Sequence, residues 1–218
     1  MHSVTPSTCI RALLGSPAHH SLGPYWHGMY HRLTQQDAIY ITLEVNRDEI
    51  NTIQNQLIAL SIHQLSVTSP HKTTVSSWCD ELSPINTLSF DGTQWLGSNT
   101  DRLAIRALTR DWTSQRILIL GAGSMAQILA QELKHKHACY FHYYRADGVK
   151  EKERLMTIPH SNTLNHFDLF INTLPRGIPI NHLPGIIHDV NYHGSGSMGL
   201  NLFTIQAKHQ QAFWSKNA

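Results

Sequence analysis

Residues 116–145 read RILILGAGSMAQILAQELKHKHACYFHYYR, and this stretch decides the fold. Ile117-Leu118-Ile119-Leu120 is a short apolar run of the kind that forms a buried parallel strand. Gly121-Ala122-Gly123-Ser124-Met125-Ala126 follows at once and fits G-x-G-x-x-G/A. Gly121 permits the tight turn, Gly123 lets a pyrophosphate approach the backbone, and Ala126 lets helix and strand pack closely. AQILAQELK continues as a helix whose free N–H groups and positive dipole end suit a phosphate. ACYFHYY (138–144) returns to strand character. Strand, glycine loop, helix and strand together predict a dinucleotide site; the plainer reading is a glycine turn in an ordinary α/β domain.

The end of the second strand selects the dinucleotide. An NAD site wants Asp or Glu there, to accept from the ribose 2′-OH. This chain has Tyr144-Arg145-Ala146 with Lys150 close behind. A cation at that point suits a 2′-phosphate and predicts NADP, although Asp147 stands two residues on; the plainer reading of Arg145 is a solvated surface residue.

Working outward, AIYITLEV (38–45) reads as a strand and RDEINTIQNQLIALSI (47–62) as a helix with Ile50, Ile53, Leu57 and Leu60 at helical spacing. QLSVT (64–68) is again strand-like, which completes a βαβ unit. In INTLSFDGTQWLG (85–97), two short apolar runs flank Asp91-Gly92, a strong hairpin signal. RLAIRALTRDW (102–112) predicts a helix with Leu103, Ala107 and Leu108 on one face. FDLFIN (167–172) and GIIHDV (185–190) supply further strands, and LFTIQAKHQQAFW (202–214) a terminal helix. The alternation predicts an α/β fold with mainly parallel sheets in two small domains.

Composition narrows the function classes. In 218 residues, 41% are hydrophobic and 15% charged, so a core can form without staples. Lys and Arg number 17 against 15 Asp and Glu, without a basic run, which speaks against a nucleic-acid partner. Three scattered cysteines form no disulfide framework, and no apolar run is long enough for a membrane span, so a cytoplasmic protein is expected. The 16 histidines invite a metal reading, but none has ligand spacing, and no metal is expected.

Two residues outside the glycine loop stand out. Lys72 follows Val67-Thr68-Ser69-Pro70-His71 at the end of a predicted strand, where ligands of α/β sheets bind. Asp101 follows Asn99-Thr100 just before a helix, where it could simply cap. As a pair they would hold an ammonium beside a carbonyl oxygen that becomes an alcohol on hydride transfer.

Seven segments in order resemble the shikimate dehydrogenase family: GSPAHHSLGP (15–24), similar to G-x-P-x-x-H-S-x-S-P; SVTSPHK (66–72), similar to N-V-T-x-P-x-K; INTL (85–88); NTD (99–101); the glycine loop; INT (171–173); and GLNLFTIQA (199–207). The resemblance implies an N-terminal α/β substrate domain over 1–101 with the C-terminal helix, 200–218, returning to it. A Rossmann-type NADP domain would occupy 102–199. It implies Lys72 and Asp101 as the catalytic pair. For the substrate it implies Ser21, Gly23, Ser66, Thr68, Asn86, Tyr192 and Gln206. For NADP it implies Gly121, Ala122, Gly123, Ser124, Met125, Ala126, Arg145, Thr173 and Gly199. The implied reaction is reversible NADPH-dependent reduction of 3-dehydroshikimate to shikimate, in chorismate and aromatic amino-acid biosynthesis, by a monomer or homodimer with a small-molecule substrate.

The chain departs from that pattern. Gly23 stands where a second carboxylate-binding serine is expected, Ser66 replaces Asn, and Tyr144-Arg145-Ala146 replaces Asn-Arg-Thr. Only HGSGSM lies between Tyr192 and Gly199. Two alternatives therefore stand beside the first reading: a related enzyme for quinate or another cyclic hydroxy acid, and a low-activity dinucleotide-binding homologue.

Overall fold

The computed structural model describes residues 4–79, 84–113, 115–121, 123–134, 138–142, 166–174, 186–191 and 197–217. The chain forms two compact units, Met1–Thr100 with Gln206–Ala218, and Asp101–Ile205. Asp101 thus opens the second unit rather than closing the first.

The first unit runs β1 (Cys9–Gly15), α1 (Gly23–Leu33), β2 (Ala38–Glu44), α2 (Gln54–Ala59), β3 (Gln64–Val67), a 3-10 turn (Thr74–Trp78), β4 (Thr87–Phe90) and β5 (Trp95–Ser98). The five strands lie in the order β2-β1-β3-β4-β5. β1 runs parallel to β2 and β3, whereas β4 and β5 pair antiparallel. Asp91 and Gly92 make the expected hairpin: Asp91 Oδ1 accepts from Thr93 and Gln94 N–H, and Gly92 takes φ +98°.

Strand alternation gives this sheet two unlike faces. Ala12, Leu14, Leu65, Val67 and Leu88 join Ile50, Leu57 and Trp95 in an apolar cluster. Register places Arg11, Tyr40, Gln64 and Ser89 in one row on the opposite face. That face is also covered: α1 turns His27 and His31 inward, and the chain's last helix contributes Gln210, Gln211 and Trp214, all buried. The expected helix over 47–62 shortens to Gln54–Ala59. Asn46 donates to Glu49 Oε2, and Thr52 folds back onto the Glu49 carbonyl, so local turns take the first half of the stretch.

The second unit carries β6 (Arg116–Leu120), β7 (Ala138–His142), β8 (Leu169–Asn172) and β9 (Ile186–Asp189), with α3 (Thr100–Thr109), α4 (Ser124–Leu133) and α5 (Ser197–Lys216). The division of the chain passes within α3 and α5. The order β7-β6-β8-β9 is parallel throughout. Both its faces are apolar. Ile117, Ile119, Leu169 and Ile171 pack with Ile128, Leu129 and Leu133, while Leu118, Leu120, Phe170 and Leu174 form a separate cluster. Such double burial is the habit of parallel sheets.

In α3 the expected face is wrong. Leu103 and Ala107 are exposed; Asp101, Ala104, Ile105 and Leu108 are the inward stripe at i, i+3, i+4 and i+7. Burial of Asp101 in the first turn sets that phase. No described helix is long and apolar enough to cross a membrane.

Candidate active site

In the first unit, the ends of the strands and the loops after them hold most of the residues singled out in the sequence. The loop after β1 is anchored by Glu44, whose Oε1 accepts from Ala18 N–H at 2.9 Å and faces His19 at 3.2 Å. The Ala18 N–H, then His19, hold the Glu44 carboxyl below its ordinary range. Ser21 Oγ accepts from Gly23 N–H at 3.0 Å, which leaves its own O–H to donate elsewhere. Ser66, at the end of β3, is buried with its Oγ unpartnered. Thr68 donates its N–H to Leu14 O at 2.8 Å and is half-buried.

Lys72 is half-buried, and its backbone is held on both sides. Ile85 N–H donates to Lys72 O at 2.8 Å, and the buried ring of His71 bonds Val45 O through Nε2 at 2.7 Å. The residue after Ile85 is Asn86, fully buried. Asn86 Oδ1 accepts from Thr100 N–H at 2.7 Å, Thr100 Oγ1 at 3.0 Å and Thr87 Oγ1 at 3.1 Å. Its carbonyl accepts from Gln210 Nε2 at 3.3 Å. Only Nδ2 is left without a partner. A buried amide with a saturated oxygen and an idle NH₂ has two donor hydrogens free for an acceptor. Gln206 lies half-buried on α5 one turn before Gln210, on the same helical face.

Behind these groups lies the polar face of the sheet. Arg11 donates to Gln64 Oε1, Gln36 Oε1 and Gln211 Oε1 at 2.5, 2.9 and 2.8 Å, and to His31 Nε2 at 2.6 Å. His27 donates through Nε2 to Gln210 Oε1 at 3.1 Å and accepts from Gln211 Nε2 at 2.7 Å. Burial, and then the Arg11 charge, pushes His31 down to about 4, and burial pushes His27 down to about 3. Both imidazoles are therefore neutral members of a network around one buried cation. The abundance of histidine is thus partly structural: His27, His31 and His71 are interior residues. His20, which falls on the histidine of the G-x-P-x-x-H-S pattern, is exposed.

In the second unit, Gly121 has φ +115°, and a Cβ there would collide with Thr173 Oγ1, which itself donates to Leu120 O at 2.6 Å. Both the turn and the close approach need glycine. Gly123 is the N-cap of α4, in extended conformation, with no side-chain cap and no acidic residue in the first turn. A Cβ on Gly123 would meet nothing within 4 Å. Open space before uncapped N–H groups fits a diphosphate. Ala126 is fully buried, Met125 packs against the same cluster, Ser124 is half-exposed, and Gly199 is buried in α5. Asp101 is 2% exposed.

Residues 13–88 match the family model of the shikimate dehydrogenase substrate binding domain. That segment of the chain is similar to this substrate binding domain. A shikimate dehydrogenase (NADP(+)) from Methanothermobacter thermautotrophicus is 32% identical over 145 residues, a match that takes in 62% of this chain and 51% of the relative. The alignment thus spans about half the length of that relative. Among solved structures, a shikimate dehydrogenase in complex with NADP+ superposes with TM-score 0.81 at 20% identity, covering 98% of this chain and 92% of the other. Shikimate 5-dehydrogenase from Listeria monocytogenes, in complex with shikimate and NAD, gives 0.80 at 19% identity, covering 99% and 94%. At these identities the structural likeness establishes the shared two-domain α/β fold.

Ser21, Gly23, Ser66, Thr68, Lys72, Asn86 and Gln206 fall in the first unit. Asp101, Gly121, the loop residues from Gly123 to Ala126, Thr173 and Gly199 fall in the second. Ala122, Arg145 and Tyr192 lie outside the described residues. Sequence reasoning missed Thr100, His71 and Gln210. The first two sit inside the motifs NTD and SVTSPHK and could have been read there; Gln210 looks like any polar helix residue until its amide is seen on Asn86. Among the described residues no three His, Cys, Asp or Glu side chains gather as a metal site would.

Proposed function

We propose that the chain interconverts 3-dehydroshikimate and shikimate with NADPH as hydride donor, the first unit binding the acid and the second the dinucleotide. The observation that carries this reading is Asn86, within the segment matching the substrate-binding domain, with its oxygen saturated and its NH₂ buried and idle beside the anchored Lys72 backbone. A polyhydroxylated ring needs neutral donors and acceptors of this kind, and a site so built rejects analogues that leave them unpaired.

In this reading NADPH supplies the hydride to the substrate carbonyl carbon. Lys72 holds its ammonium at the carbonyl oxygen and gives up a proton as the alcohol forms; in the reverse direction the neutral amine takes that proton back. Asp101 would accept from a ring hydroxyl, while Asn86, Thr68 and Gln206 hold the other hydroxyls. Ser21 donates to the carboxylate. The N–H groups at Gly123 and Ser124 take the diphosphate, and Gly121 with Thr173 keeps the turn below it tight. Arg145 would meet the 2′-phosphate.

The test is NADP+ reduction followed by absorbance with shikimate, with quinate and with no substrate. Shikimate-dependent turnover that Lys72→Ala abolishes is the expected result. Turnover on quinate alone would replace the substrate, and dinucleotide binding without turnover on either acid would refute the enzyme reading. Arg145→Asp should shift preference from NADP toward NAD.

A further inference from the structure

The C-terminal ends of β8 and β9 are tied by side chains as well as by backbone. The register pairs Asn172 with Asp189, and Val190 N–H donates to Asn172 O at 3.0 Å. The Asp189 carboxylate accepts from Asn172 Nδ2 at 3.1 Å through Oδ2, and from Asn191 N–H at 2.7 Å and Asn191 Nδ2 at 2.9 Å through Oδ1. Asn172 Oδ1 accepts from Leu174 N–H at 3.1 Å, and Asn191 Nδ2 also donates to Leu174 O at 3.0 Å. Both polar groups of the Leu174 backbone are thus held by side chains, and Thr173 lies between two anchored residues. The strands are already paired through their backbones, so these bonds fix the turn after β8 rather than the sheet.

That turn borders the place prepared for the dinucleotide. Thr173 gives both its N–H and its Oγ1 to Leu120 O, and Oγ1 stands where a side chain on Gly121 would have to go. β6 lies between β7 and β8, the point in the strand order where a crevice opens beyond the carboxyl ends. A diphosphate before α4 occupies the end of β6, and the residue at the end of β7 meets the adenine ribose. The nicotinamide half then has one way to go, over the ends of β8 and β9. Asn172 is 5% exposed and Asp189 is half-buried, and hydrogen bonds to an ionised carboxylate are of the strong kind.

We propose that Asp189 is a positioning residue for the nicotinamide half of the dinucleotide, acting through Asn172, Asn191 and Leu174 to hold the Thr173 turn beside Gly121. This rests on the reading above that the second unit binds NADPH. A carboxylate suits the task because it only accepts: it takes three hydrogen bonds from two asparagines and leaves Asn172 Oδ1 to the Leu174 N–H. With an amide at position 189, an NH₂ would face either Asn172 Nδ2 or the two donors of Asn191. Turning Asn172 over would then set its own NH₂ against the Leu174 N–H, so at least one bond is lost in every arrangement.

The test titrates the full chain by calorimetry with NADP+ and with adenosine 2′,5′-bisphosphate, which carries the adenine half and no nicotinamide. Asp189→Asn should raise the Kd for NADP+ by roughly tenfold and leave that for the bisphosphate within about twofold. Asp189→Asn combined with Asn172→Asp exchanges donor and acceptor and restores every bond, so NADP+ binding should return to within about twofold of wild type. Asn191→Ala removes the tie to Leu174 O and keeps the assignment testable if Asp189→Asn fails to fold; it should weaken NADP+ by roughly threefold and the bisphosphate not at all. Equal losses for both ligands, the mark of a merely structural role, overturn the assignment. So do unchanged NADP+ binding in the single variants and a double variant no better than Asp189→Asn. A wild type that binds the bisphosphate as tightly as NADP+ overturns it too, while leaving the dinucleotide site standing. A wild type that binds neither ligand refutes the dinucleotide reading above, and this assignment with it.

Discussion

The two sheets of this protein are held by different means. The β6–β9 sheet is apolar on both faces, Ile117, Ile119 and Ile171 on one and Leu118, Leu120 and Phe170 on the other. The β1–β5 sheet is apolar on one face only; its other buried face is a network of one arginine, two neutral histidines and several glutamines. The first arrangement is stabilised by area removed from water and tolerates any side chain of the right size. The second depends on particular partners, because Arg11, His27 and the glutamines donate to and accept from one another and a lost partner strands its mate in a dry place.

That contrast can be broken at its two strongest points. Phe170→Ala should cost about 3–5 kcal/mol through the lost transfer energy and the cavity. Urea unfolding should show it, and a loss below about 1 kcal/mol would mean that the outer face of the parallel sheet is not a packed core. Arg11→Met keeps volume but leaves the oxygens of Gln36, Gln64 and Gln211 without their donor. The expected loss is about 3 kcal/mol, since each orphaned buried group costs about 1–3 kcal/mol and the effects of one network are not additive. A neutral Arg11→Met would show that the polar face is wetter, and less demanding, than its burial says.

The same contrast explains what could be read in advance. The apolar faces were legible because strands alternate and Val, Ile and Leu mark their buried side: ILIL, LFIN and TLSF each appear as strands where the pattern predicts them. The glycine loop was legible because a positive φ at Gly121 and a close helix at Ala126 require small residues in a fixed order. The polar face was not legible. Arg11, Gln64, His27 and Gln211 carry the composition of a surface, and only the return of the last helix turns them into an interior. Helix phase failed in α3 for a related reason, since a buried Asp101 counts as polar in a periodicity argument yet sets the inward stripe. The place of Gln210 was invisible because it depends on a partner far away in sequence, Asn86.

Acid should attack the polar face before the apolar ones. His27 and His31 titrate near 6.5 when unfolded but are held down to about 3 and about 4 in the fold. A group with a depressed basic pKa is neutral in the folded state, so its contribution is full above pH 6.5 and falls as pH drops toward the folded value. Between pH 6.5 and 5 the loss should be about 1–3 kcal/mol for the pair, below the sum of two independent groups because they share Arg11. Glu44, Asp91 and Asp168 are depressed carboxylates, and their contribution is lost only at still lower pH. Unfolding curves at a series of pH values, compared with His27→Gln/His31→Gln, test this. A double variant as acid-sensitive in that window as wild type would place the titrating groups elsewhere.

The smallest effect on stability should separate the two glycines of the loop. Gly121→Ala forces a side chain into φ +115° and onto Thr173, and should cost about 1–3 kcal/mol in the second unit. Gly123→Ala puts its methyl into open space at a helix N-cap, where the change in stability should be under about 1 kcal/mol. That methyl would nonetheless stand where a diphosphate must approach the N–H groups of α4. The expected signature is an almost unmoved unfolding midpoint with NADP+ affinity reduced by roughly tenfold or more. The opposite pattern, intact NADP+ binding and a destabilised fold, would make Gly123 a packing residue like Gly121, and would move the phosphate away from this helix end.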